Sequence, residues 1–279
     1  MKFNIPFRKH KNNTKQKRNF IIPQYIFILV LHLPFVFAKN KPVTELKLQA
    51  LPAQNYFPVD SSVTNNNSEP VTKFSVYDSL KLKQMGLPEQ TFNYAIRGFN
   101  YLVAKGKLAD NNIISIIDFS LPSTVKRLFV IDIKRYKVLY CTYVAHGVNS
   151  GKEYAKRFSN KLQSNQSSLG FYKTENTYQG GNGYSLKLEG LEKGINDNAM
   201  RRDIVIHGAD YVDESLIKSQ GYLGRSLGCP ALPQRLHKPI INKIKNGTCL
   251  FIYSADKSYL NRSGILNAGS QDAVVFNRR

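Results

Sequence analysis

The first apolar block along the chain is short. Residues 1–19 are polar and basic, and 20–38 then read almost continuously apolar, with a heart from Tyr25 to Leu33 interrupted on either side by Pro23, Gln24, His32 and Pro34. A membrane span needs about 20 apolar residues, so this block falls short of one. Residues 39–73 show no periodicity, carry Pro42, Pro52, Pro58 and Pro70, and read as a linker. From Phe74 the spacing turns helical. Val76, Leu80, Leu82 and Met85 precede a break at Gly86-Leu87-Pro88, and Phe92, Ala95, Ile96, Phe99, Leu102 and Val103 follow it. This predicts helices over 75–85 and 89–105 within an N-terminal helical segment, 74–108.

The pattern then becomes extended. Ile113–Ile117 is β-branched. Lys126–Ile133 and Lys137–Ala145 flank a polar turn at Lys134-Arg135-Tyr136, a hairpin signal. Residues 146–183 are rich in Gly, Asn and Ser and predict long loops. Tyr184–Glu189 alternates, Ile204–Ile206 is a short buried run, Pro239–Lys245 suits a helix, and Thr248–Tyr253 is a last strand. Helices precede strands, which predicts an α+β or mainly β domain over 109–254, followed by a polar basic tail, 255–279.

Charge sharpens the reading of the N-terminus. Residues 1–38 hold seven basic residues and no acidic one, and Val36-Phe37-Ala38 supplies small residues ahead of Lys39. A basic region, a short apolar heart and this ending predict a cleavable export signal over 1–38; the alternative is an uncleaved anchor. Either places the remaining chain outside the cytoplasm. Without that segment, 33 basic residues still face 19 acidic ones. Such a surface attracts polyanions, including acidic wall polymers. Lys152–Arg157 and Arg201-Arg202 read as solvated basic faces that could serve this. Three cysteines are too few for a disulfide framework and lack metal-ligand spacing. Cys141 and Cys249 fall in expected strands, either as buried thiols or as a pair. No metal, phosphate-loop or nucleic-acid pattern is present, and no cofactor is implied.

Two segments carry candidate chemistry. Ile204-Val-Ile-His207-Gly208 sends a histidine off the end of a buried strand, and Gly224-Arg225-Ser226-Leu227-Gly228-Cys229-Pro230-Ala231 sets a cysteine in a glycine-rich turn. A thiol becomes a strong nucleophile once a base within hydrogen-bond reach takes its proton. The turn's N–H groups could stabilise an oxyanion. Equally, a lone cysteine is often a small buried hydrophobe, His207 could be a satisfied core histidine, and the glycines could form an ordinary loop. The tyrosines within 172–184 could line a groove.

His207-Gly208 followed by Ser226-Leu227-Gly228-Cys229 resembles the signature of the L,D-transpeptidases, the YkuD-like domain. Ile116–Ser120, Val144–Gly147, Ser167–Phe171, Gly190–Asp197, Val205–Tyr211 and Gly224–Pro233 are similar to its murein L,D-transpeptidase catalytic domain branch, together covering roughly 90–254. The broad family has a histidine where Leu227 stands and a polar residue soon after the cysteine, where Pro230 and Ala231 stand. The resemblance implies a β-sandwich of mixed strands flanked by helices. It implies peptidoglycan stem peptides as partners, with membrane contact only through the N-terminal segment. Cys229 would form a thioester with a tetrapeptide stem and release D-alanine. A second stem's amine would then complete transpeptidation, or water an L,D-carboxypeptidase reaction. A non-catalytic wall-binding protein is the alternative. His207 would be the base and the Gly208 carbonyl its orienting partner. The N–H groups of Gly228 and Cys229 would be the oxyanion donors. Arg225, Ser226, Tyr211 and His146 are candidates for substrate contact, and His146 for a stand-in base.

Overall fold

The apolar run at 113–118 becomes the middle of the molecule. In the computed structural model, which describes residues 75–268, all six residues of strand β1 (Ile113–Asp118) are buried. Residues 1–74, containing the expected signal and linker, lie outside the described residues, as do 269–279. Strand β2 (Leu128–Asp132) and strand β3 (Lys137–Thr142) form the expected hairpin, turning through Tyr136 at φ 49°. Two long strands follow, β4 (Gly170–Gly180) and β5 (Gly183–Gly190), then β6 (Val205–Ala209), β7 (Ala231–Pro233) and β8 (Cys249–Tyr253). They join in one eight-stranded order, β3-β2-β1-β8-β4-β5-β6-β7. The sheet is mixed: β1 with β8 and β6 with β7 run parallel, and the other pairs antiparallel. Central strands buried on both faces explain why 113–117 and 249–253 read as continuous apolar runs without alternation.

Helix α2 (Glu89–Ala104) forms where the spacing predicts it, burying Phe92, Ala95, Phe99 and Leu102. Gly98 sets how closely it packs. A Cβ there would stand 2.0 Å from the Phe171 ring, so the helix backbone lies directly on β4. Phe171 in turn stacks on Phe251, with ring centroids 4.2 Å apart. Thr91 on α2 donates to the buried Asp118 carboxylate at 2.6 Å, tying helix to central strand.

Three expectations are corrected. The helix expected over 75–85 is a single turn, α1 (Val76–Ser79), because Lys81 enters the left-handed region at φ 53° and the chain continues as turns to Gly86. Leu80, Leu82 and Leu87 remain buried, so the apolar spacing reported burial rather than helix. Within the stretch expected to be loop, 170–180 is strand β4. Its polar residues are satisfied by the fold: Lys173 pairs across the hairpin with Glu189 at 2.6 Å and along its own strand with Glu175 at 3.0 Å. Finally, the polar tail expected from 255 begins with structure. Helix α3 (Glu214–Gln220), which the sequence pattern did not reveal, and helix α4 (His237–Ile244) precede it. Helix α5 (Lys257–Arg262) then buries Tyr259, with Ile265 and Leu266 beyond it.

That last segment is held by a buried carboxylate. Glu192 accepts from the Phe171 N–H at 2.8 Å, from the Tyr259 hydroxyl at 3.2 Å and from the Ser263 hydroxyl. Burial pushes its carboxyl above the ordinary range, while those three donors oppose the rise. Among the described residues all three cysteines are free. Cys141 on β3 and Cys249 on β8 are separated by β2 and β1, three strand spacings or roughly 14 Å, too far for a disulfide. Among the described residues no helix is long and apolar enough to cross a membrane.

Candidate active site

The site grows from the parallel pairing of β6 and β7. That register sets His207 opposite Ala231, so Cys229, two residues earlier, falls beside Val205. The contacts agree: the Val205 N–H donates to Cys229 Sγ at 3.4 Å, and the thiol donates to the Asp203 carbonyl at 3.5 Å. His207 is the next position on the same face of β6. Both residues are nearly buried, at 4% and 9% exposure.

The imidazole is oriented by its own strand. His207 Nδ1 lies 2.9 Å from the Gly208 carbonyl. A carbonyl only accepts, so Nδ1 carries the proton and Nε2 is the basic nitrogen. Gly208 has no room for a side chain, since a Cβ would meet Gln234 Oε1 at 2.3 Å and the His237 ring at 2.5 Å. This close packing brings α4 against the residue that orients His207.

The cysteine turn is internally braced. Gly228 sits at φ 126°, a conformation that L-residues rarely adopt, and a Cβ there would meet Gln166 O at 2.9 Å and Ile204 Cδ1 at 3.0 Å. The Ser226 hydroxyl donates to the Cys229 carbonyl at 2.6 Å and accepts from the Gly228 N–H at 3.0 Å. Ser167 adds a bond to the Gly228 carbonyl at 3.0 Å. Alongside, residues 145–148 pair with 226–231: Ala145 N–H to Ala231 O at 2.9 Å, Ser226 N–H to His146 O at 3.0 Å, and Val148 N–H to Ser226 O at 2.8 Å.

At rest the pair is neutral. Burial pushes the Cys229 thiol up; the Val205 N–H and Arg202 oppose this, and Asp203 adds to it. Burial pushes His207 down, against the pull of its bond to Gly208. Among the described residues no hydrogen bond joins the two side chains. The thiol instead points to the turn before β6.

Several expected roles change. Ser226 is buried inside its own turn and is a brace, not a substrate contact. The Gly228 N–H is committed to Ser226, whereas the Cys229 N–H has no partner among the described residues. His146 is fully buried. Arg127 donates to its Nδ1 at 2.8 Å, and its Nε2 faces the Gly151 carbonyl at 3.3 Å. Burial and the neighbouring guanidinium push its pKa down to about 3, so it neither meets substrate nor serves as base. Arg225 places its guanidinium on the Gly151 carbonyl at 3.3 Å and over the Tyr222 ring at 5.2 Å. Tyr211 packs its side chain against Gly224, and burial pushes its phenol up to about 12. Leu227 projects into solvent at 71% exposure.

Arg202, expected to be a solvated residue, belongs to the site. It donates to the carbonyls of Ser159 at 2.6 Å and Gln166 at 2.5 Å and to the hydroxyls of Ser164 and Ser168, and its guanidinium borders Gly228. Its positive charge favours the Cys229 thiolate. Nothing in the local pattern distinguishes it from Arg201, because its partners lie 34–43 residues earlier.

A family model described as the L,D-transpeptidase catalytic domain matches residues 83–253, about three-fifths of the chain. The chain belongs to that family. A search of curated proteins finds no match. Solved structures similar to this transpeptidase-family chain include an L,D-transpeptidase from Mycobacterium smegmatis, at 12% identity and TM-score 0.32, covering 51% of this chain and 59% of that one. Another is the helical cell shape determining protein Pgp2 from Campylobacter jejuni, at 13% identity and TM-score 0.37, covering 62% and 59%. A third is the L,D-transpeptidase from Xylanimonas cellulosilytica, at 14% and 0.29, covering 51% and 60%. This chain thus spans about three-fifths of the length of each.

The matched range contains His207, Gly208 and Cys229 together with every strand of the sheet. Among the described residues no group of three or more His, Cys, Asp or Glu could hold a metal ion. A cleft of about 610 Å³ opens past the ends of β6 and β7, lined by Tyr143, Asp210, Glu214, Lys218 and Arg235; it contains neither Cys229 nor His207.

Proposed function

We propose that this chain is an exported, peptidoglycan-modifying cysteine acyltransferase acting on stem peptides. The observation that carries the reading is that the β6–β7 register sets Cys229, in the turn just before β7, beside Val205 and next to His207 on β6, in a domain matched to the L,D-transpeptidase family, with the Gly208 carbonyl fixing the imidazole's tautomer. The thiol turns from the Asp203 carbonyl to His207 Nε2, which takes its proton as sulfur attacks the stem's scissile carbonyl. The Cys229 N–H receives the developing oxyanion. His207 returns the proton to the leaving amine, D-alanine departs, and a thioester remains. An amine from a second stem then gives a cross-link, or water gives the free acid. Incubating the purified mature protein with tetrapeptide stems and weighing the products tests this. A cross-linked dimer with loss of D-alanine supports transpeptidation, the bare tripeptide supports the carboxypeptidase reaction, and unchanged stems would leave a wall-binding role.

The pH profile has a definite sign. His207 must be neutral to accept the proton, and burial lowers its pKa. The acid limb of kcat/KM for D-alanine release should therefore lie below about pH 6.5, the ordinary histidine value. An acid limb above pH 7 would contradict a buried neutral base.

Export rests on residues 1–38. Protein recovered from the cell envelope should begin at Lys39 by N-terminal sequencing; an intact Met1 would favour the uncleaved anchor.

A further inference from the structure

A groove of about 340 Å³ runs beside the cysteine, lined by Tyr178, Lys187, Leu188, Met200, Asp203, Ile204 and Val205. Its link to the thiol is direct, because Asp203 and Val205 supply the two backbone groups bonded to Cys229 Sγ. Lys187 faces Val205 across the β5–β6 ladder. Directly paired residues share a face, so Lys187 lies on the same side of the sheet as Val205 and His207. Its ammonium sits 5.5 Å from the centre of the Tyr178 ring. Among the described residues it has no carboxylate partner, whereas Lys173 on the same hairpin has two. The half-buried Lys187, in no ion pair among the described residues, therefore offers its positive charge to the groove over an aromatic face.

The groove is electrically polar. Asp203 at the thiol end disfavours the thiolate and, by the same field, an anionic group beside it. An anionic ligand is thus oriented with its carboxylate toward Lys187 and an uncharged amide toward Cys229. The spacing fits a short reach. Cys229 and Lys187 flank β6 on opposite sides, about two strand spacings or roughly 10 Å apart at the backbone, and the lysine side chain takes up part of that gap.

We propose that Lys187, backed by Tyr178, binds a carboxylate of the donor stem next to the amide that Cys229 attacks. This rests on the function proposed above and adds a specificity-determining residue to it. Two donor carboxylates have this chemistry: the α-carboxylate of the departing terminal residue and the side-chain carboxylate of the diamino acid.

The test uses binding and turnover in parallel. Cys229→Ala protein, with Lys187 intact or changed to Gln or Arg, is titrated calorimetrically with three tetrapeptide stems: fully charged, amidated at the terminus, or amidated on the diamino acid. Lys187→Gln should weaken binding of the charged stem about ten- to a hundredfold, the worth of one hydrogen bond to a charged group. Lys187→Arg should restore most of it. One amidation should weaken binding to the intact site by a similar factor and have no further effect in Lys187→Gln; that amide identifies the carboxylate. Equal discrimination among the three stems with Lys187 intact and in the Lys187→Gln variant would overturn the proposal. The same comparison in KM for D-alanine release, with Cys229 present, reads turnover. If binding discriminates as expected but no stem is turned over, the carboxylate site stands and the acyltransfer reading falls.

Discussion

Cys229→Ser should all but abolish D-alanine release from a tetrapeptide stem, because an alcohol is far harder to deprotonate than a thiol. His207→Gln keeps the side chain's approximate size and removes the base, and it should cost about 10²–10⁴-fold in rate. The two residues act as one unit, so the double variant should be little slower than Cys229→Ser alone. Each variant should remain folded. Neither change empties a large core volume, and the turn around residue 229 is braced by Ser226 and Ser167 independently of the sulfur. Wild-type release by Cys229→Ser would refute the nucleophile. A dead Cys229→Ser beside a fully active His207→Gln would mean that another group accepts the proton. His146 is not that group, since Arg127 occupies its free nitrogen.

Arg127→Met should destabilise the domain by roughly 3–5 kcal/mol, the scale for removing one partner of a buried charged network. The guanidinium is fully buried. It donates to the Leu121 carbonyl at 2.8 Å, to the Val144 carbonyl at 2.9 and 3.2 Å, and to His146 at 2.8 Å, and it lies over the Phe119 ring at 4.9 Å. Burial lowers its pKa, and the nearby Asp118 carboxylate opposes that fall. Methionine fills similar space but leaves two carbonyls, one imidazole nitrogen and a buried carboxylate without their donor or counter-charge. Urea unfolding would read the loss, and a change under about 1 kcal/mol would show that the network carries little stability. Activity should fall as well at temperatures where the variant is folded. The segment that Arg127 anchors, 144–148, forms the ladder that holds Ser226 and Ala231 on either side of the cysteine.

The reach of the sequence follows from what local pattern can report. Burial of successive side chains leaves a period or an unbroken apolar run, so α2, β1, β2, β3, β5 and β8 are legible, with ends displaced by up to three residues. His207 and Cys229 are legible because their chemistry needs particular residue types in glycine-bearing contexts. Strand β4 is hidden because its polar residues find distant partners, Lys173 on Glu189 of β5 and Thr174 on Ile244 and Thr248, and α5 because its tyrosine is buried against a glutamate 67 residues away. The roles of the polar site residues depend most on tertiary structure. Ser226, His146 and Arg202 all sit in motifs or basic runs that suggest contact with substrate or solvent, yet each is occupied by a partner. For His146 that partner is Arg127, and for Arg202 it is the 159–168 loop. Lys187 is the converse case, an ordinary strand lysine until the β5–β6 register sets it opposite Val205 beside the thiol. Residue type and periodicity determine which groups can do chemistry and which segments are buried. Which polar group meets which is decided by strand order and register, because a hydrogen bond or ion pair forms only between groups that the folded chain brings within about 3–4 Å.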